Sequence, residues 1–312
     1  GIGIMLGARW SYAELGWGGY WAWDPVENAS LLPWLIGTAF IHSAMVQERR
    51  GMLKVWNASL ILATGILAIL GTFLVRSGVI QSIHAFTGSD LGWPFLILIV
   101  VMIGCSVWLV VSRRASLKTE HRLDSLLSRE SMFLANNLVL VAMAFVVFWG
   151  TFFPLISEAL TGTEQTLGPT WYGRYIAPLA LVLVALTAVG PLVPWRRSSW
   201  RLLRRPLLIT AVAGLLAAIG TVLLGAGDRP LAVLFFAASG AAIATVVLEF
   251  ARGAKARRAI AGEGPLRGTV SLLRRNNRRY GGYLVHLGIV VLLVGVAASA
   301  TFQDVVDVRI QP

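Results

Sequence analysis

Apolar positions in this chain come in long unbroken runs, not at every second place as in a half-buried strand. A bilayer core takes roughly 20 apolar residues per helix. Eight runs meet that length, at 31–47, 55–76, 93–112, 132–153, 175–195, 206–225, 230–251 and 283–301. Residues 1–13 carry the same pattern and read as the end of a further helix. The pattern predicts an all-α polytopic membrane protein: a helical bundle with eight full transmembrane helices plus the end of another, and an external aromatic segment. The last stretch, "TFQDVVDVRIQP", alternates and reads as the start of a strand. Gly1 falls inside an apolar pattern, with no initiator Met and no signal peptide. Both ends therefore predict a piece of a longer protein, its N-terminal half upstream.

Composition agrees. The 312 residues are 56% hydrophobic and 13% charged, where soluble domains carry about a quarter charged residues. A net charge of +12 raises the question of nucleic acid, and its distribution answers it. The loops after the first, third, fifth and seventh full spans hold 22 of the 27 basic residues; the opposite side holds Arg9, Arg76, Arg174, Arg229 and Arg309. This asymmetry orients the basic loops toward the cytoplasm and assigns the charge to topology and anionic lipid, not to nucleic acid. The longest such loop, 252–282, has room for a short amphipathic helix. Cys105 is the only thiol, so no disulfide within the chain and no CxxC chemistry is available; it is expected to pack as a small apolar residue.

Four histidines are present. His42 and His286 each lie seven residues from the nearest inner-loop arginine, Arg49 and Arg279. At 1.5 Å per residue both sit roughly 10 Å inside that boundary. Hydrogen bonding to a neighbouring helix is the plain reading of such residues. The functional one is a bis-histidine b-type haem, since no Cys or carboxylate accompanies the pair as zinc would require. His84 lies in the outer loop 77–92, which is apolar around it and needs something to pack on; His121 lies in a polar inner loop and reads as solvated.

The stretch "GWGGYWAWDPVENASLLPW", Gly16 to Trp34, divides in two. "DPVE" is a helix start, with Asp24 as N-cap, Pro25 at the first helical position and Glu27 at the third. Capping is thus the first reading of both carboxylates, and Pro33 allows a break before the span that carries His42. Trp17, Tyr20, Trp21 and Trp23 exceed the one or two aromatics of a lipid belt. With glycines between them they suit a platform for a large flat apolar ligand such as a porphyrin. Arg76, at the outer end of the second span, is a candidate for its carboxylates, or an interfacial arginine that snorkels.

"WGGYWAWDPVENASLLPW" resembles the tryptophan-rich WWD motif of haem-handling membrane proteins. With "TAFIHS", "GTFLVRSGVIQSIHAF", the interval from His42 to His84 and the "HLG" of His286, it resembles the CcmF branch of System I cytochrome c biogenesis. Residues Val26 to Ser30 separate it from the CcmC-type proteins and the System II synthetases. The resemblance is most specific over Gly1 to about Asp90.

That resemblance implies a haem lyase component acting in a complex in the bacterial inner membrane, with the WWD segment and the His84 loop on the periplasmic face. Haem as substrate arrives from the chaperone CcmE and rests on the WWD segment with His84 as an axial ligand. It reacts with a CxxCH motif of apocytochrome c, delivered with CcmH-type partners. A resident haem b with ligands His42 and His286 reduces it, with quinol as a candidate electron source. The implied layout is 1–13 the end of a truncated helix, 14–32 the external WWD segment, 31–112 the haem-handling core, 113–282 helices with basic loops, and 283–312 the last helix and the start of an external domain. The family has a second outer-face histidine, which this chain lacks, and an external domain after the last span seen here. No catalytic acid–base pair is evident. A haem transporter or a quinol-oxidising b-haem subunit would share some of these residues. A transporter, however, needs a polar path, and the spans offer few polar groups beyond His42, His286 and Glu249.

Overall fold

The computed structural model describes residues 1–14, 19–80, 82, 91–119, 121, 123–196 and 198–303. It is helical throughout: α1 (Ile2–Glu14), α2 (Pro25–Arg50), α3 (Lys54–Ser77), α4 (Gly92–Ser112), α5 (Arg129–Thr161), α6 (Pro169–Val189), α7 (Trp200–Thr221), α8 (Pro230–Ala261), α9 (Pro265–Arg275) and α10 (Asn277–Phe302). Eight of these, all but α1 and α9, are long and apolar enough to cross a membrane. The chain is a multi-pass membrane protein.

The helices form two compact units, Gly1–Leu123 with Phe133–Leu179, and Asp124–Met132 with Ala180–Pro312. In the first, α2 packs along α3, and α3 along α4. Gly51, at φ 59°, ends α2 in the left-handed conformation that a Cβ disfavours, its amide bonded to the Gln47 carbonyl at 2.8 Å. Buried polar groups hold these helices together. Ser43 donates to Asn57, whose Nδ2 donates to Gln47 Oε1 at 2.7 Å, and Trp56 Nε1 donates to Asn137 Oδ1 at 3.2 Å. In the second unit α7 and α8 approach closely through small residues: a Cβ on Gly240 would lie 2.7 Å from the Ala217 Cβ.

Several expectations change. α2 runs unbroken through Pro33, a proline that membrane-spanning helices tolerate where their surroundings compensate the lost backbone bond. Cys105 is exposed on α4 among the described residues. His121 is exposed yet bonded, Nδ1 lying 3.0 Å from the Arg50 carbonyl at the end of α2. α8 continues ten residues past residue 251, and α9 is a short amphipathic helix within residues 252–282. α10 stays helical to Phe302, so Thr301 and Phe302 are not strand; residues 304–312 lie outside the described residues. The polar side chains named above bond between helices.

Candidate functional site

α2 begins where the aromatic segment ends. Asp24 is extended (φ −61°, ψ 144°), and its Oδ1 accepts the Val26 amide at 2.9 Å. Glu27 reaches back, its Oε2 accepting the amides of Asp24 at 3.2 Å and Ala22 at 2.9 Å. The two carboxylates form a capping box around amides that have no partner inside the helix. Asp24 Oδ1 also accepts Ser82 Oγ at 2.7 Å. Nearby, Ile80 is buried against Ala29 and Leu74, with Phe73, Phe152 and Leu155 around them. The chain that follows α3 is thereby fastened to the start of α2, two residues short of His84. His84 and Trp17 themselves lie outside the described residues.

Trp23 has φ 60°, a left-handed conformation that costs a non-glycine residue roughly 1–3 kcal/mol. Two groups hold it there. Asn28, wholly buried, donates Nδ2 to the Trp23 carbonyl at 3.0 Å and to Tyr172 Oη at 3.1 Å. Tyr172, from α6, stacks face to face on the Trp23 ring, with centroids 4.5 Å apart and planes 3° from parallel. Its seat is Gly150 on α5, where a Cβ would come within 2.5 Å of the tyrosine oxygen. Trp21 meets Trp23 edge-on at 5.9 Å, and its buried Nε1 has no hydrogen-bond partner among the described residues. Tyr20 is half-buried. Trp171, edge-on to Tyr172 at 5.1 Å and 5.0 Å from Tyr175, extends the aromatic group along α6. One face of the Trp23 ring is therefore covered by the protein. Arg76 is exposed in the last turn of α3.

His42 is half-buried on α2. Its Nδ1 lies 2.8 Å from the Thr38 carbonyl, and its ring packs on Phe133 at 5.9 Å. In the second unit, His286 lines a small cleft with Leu183, Val184 and Thr187 of α6 and Ile289, Val290 and Leu293 of α10. Neither belongs to a group of three or more His, Cys, Asp or Glu that could hold a metal, among the described residues. Glu249, on α8, is buried in the same unit. It accepts Arg252 Nη1 at 3.0 Å, Arg279 Nη2 at 2.7 Å and Tyr283 Oη at 3.2 Å.

Asn28 and Tyr172 carry no sequence motif that marks them as site residues. The only signal for the second was the aromatic cluster in "PTWYGRY", whose target no local pattern reveals.

The family model described as Cytochrome C assembly protein matches residues 1–82, which include the aromatic segment, Asn28 and His42. The cytochrome c-type biogenesis protein CcmF of Pseudomonas aeruginosa is 40% identical over 316 residues, covering 100% of this chain and 46% of that protein. CcmF of Escherichia coli is 36% identical, covering 99% and 46%. The chain belongs to the CcmF family. A solved member, titled Cytochrome c Heme Lyase CcmF, superposes with a TM-score of 0.73 at 32% identity, over 96% of this chain and 43% of that one. The chain thus spans a little under half the length of the CcmF relatives it matches.

Proposed function

We propose that this chain is the part of a haem lyase that holds haem for attachment to apocytochrome c at the outer face of a bacterial inner membrane. The observation that carries the reading is the fastening of two segments at one point. Asp24 ends the aromatic segment and binds Ser82, two residues before His84. A porphyrin resting on the one and ligated from the other would be held by both. Trp21 Nε1, buried and without a partner among the described residues, is the donor for a haem carboxylate, and Arg76 is the cation. The reaction adds a thiol across a vinyl group: an S–C and a C–H bond form as the S–H and one C=C π bond break, with no net redox change. It needs the thiol, the vinyl group and reduced iron brought together, so positioning carries it. The thiols come from the CxxCH motif of apocytochrome c, haem from CcmE, and delivery involves CcmH-type partners.

His42 and His286 would hold a resident haem b on this reading, supported by their matched depth in the sequence. When bound, such a haem would supply electron-transfer chemistry for keeping the substrate iron ferrous, with quinol as a candidate electron source. In the full-length protein, His84→Ala abolishes cytochrome c maturation and leaves the b-type spectrum, while His42→Ala and His286→Ala each remove that spectrum. Normal holocytochrome yield in the His84 variant would refute the substrate role, and unchanged spectra in the other two would refute the resident haem.

A further inference from the structure

We infer that Tyr172 is a positioning residue of the haem-handling segment, working through Trp23 and Asn28 and not by touching haem. The inference rests on the function proposed above. Residues 20–24 form neither helix nor strand, so the direction of their rings depends on backbone torsions that nothing local fixes. Trp23 takes a torsion that its side chain disfavours, and from two sides the protein prevents it from relaxing. Asn28 grips the Trp23 carbonyl and the Tyr172 hydroxyl with one amide group, across 144 residues of sequence. The Tyr172 ring covers one face of the indole in a parallel stack. Tyr172 is itself fixed, being 1% exposed and seated over Gly150. Trp23 is thus held by α2, α5 and α6 together. Trp21 stands edge-on against it with its indole N–H buried and without a partner among the described residues. Tyr172 sets Trp23, and Trp23 sets the direction in which Trp21 presents that donor.

The test titrates hemin into purified full-length protein whose resident b-type spectrum is already saturated. Only absorbance that the His84→Ala protein lacks is counted. Near-UV circular dichroism follows the stacked rings; elution profile and far-UV dichroism check the fold. Tyr172→Phe keeps the stack, loses the hydroxyl's bonds to Asn28 and Thr151 and weakens hemin binding about fivefold, the loss expected from the Asn28 bond that bears on Trp23. Tyr172→Ala loses stack and bond, and weakens binding about fifty-fold or more while the elution profile and helicity stay as in the parent. Unchanged hemin affinity in Tyr172→Ala, with the near-UV signal gone, overturns the positioning role. If the alanine variant does not fold, unchanged affinity in both Tyr172→Phe and Asn28→Ala overturns it. A parent protein that shows no His84-dependent hemin binding overturns the haem reading, and this role with it.

Discussion

Replacing Gly150 with alanine tests the aromatic lock from a position that touches no ligand. A Cβ there would lie 2.5 Å from Tyr172 Oη and 2.6 Å from Cε1 and Cζ, where ordinary contact begins near 3.4 Å. Tyr172 must move by about 1 Å, yet it is 1% exposed and has no space to enter. Overpacking of this kind costs roughly 1–3 kcal/mol. Moving the ring also breaks its bond from Asn28, about 1 kcal/mol, and loosens the stack on Trp23, about 0.5–1.5 kcal/mol. Against this, alanine is the better helix former by about 1 kcal/mol. The expected net loss is roughly 1.5–4.5 kcal/mol, accompanied by a change in the near-UV spectrum. Gly65→Ala on α3 is the control, since a Cβ there meets nothing within 4 Å; it should be neutral or stabilise by up to about 1 kcal/mol. Both are read by thermal unfolding in detergent, followed by near-UV circular dichroism. A Gly150 variant that melts at or above the parent with unchanged spectrum refutes the account of how Tyr172 is held.

Asp24→Ala loses the helix cap and the Ser82 bond together and costs about 1–2 kcal/mol. Asp24→Asn keeps an acceptor and recovers most of it; equal melting of all three proteins argues against the cap. Glu249→Ala leaves Arg279 and Tyr283 without their common acceptor. Because the two arginine side chains are 44% and 46% exposed, water screens part of the effect, and the loss is about 1–3 kcal/mol instead of the larger value for a fully buried pair. A change below about 0.5 kcal/mol would remove Glu249 from the structural account. Glu263, in the turn between α8 and α9, is held at a pKa of about 2, below its ordinary 4.5, chiefly by hydrogen bonding to Arg257. A carboxylate lowered in the fold stabilises fully above 4.5, and that contribution fades as pH falls from 4.5 through 2. Arg257→Gln should return Glu263 to the ordinary range in a carbon-13 titration; an ordinary value with Arg257 intact contradicts the pairing.

By itself the sequence determined what depends on composition over a window. Eight spans follow from the length of apolar runs, because no other structure satisfies the backbone in lipid at that length. The "DPVE" cap was equally legible, because a capping box closes within four residues. What the tertiary structure alone decided was long-range. Nothing near "YWAW" says that the last tryptophan turns left-handed, or that a tyrosine 144 residues beyond Asn28 will cover its face. Nor does anything near "SIHAF" say that Ser82 will bond to the cap of α2. Helix formation in a membrane is a local balance between backbone bonds and lipid, so a run of residues suffices to read it. Stacking and side-chain bonds between helices depend on which helices become neighbours, and the apolar runs of α2, α5 and α6 carry no mark of that choice.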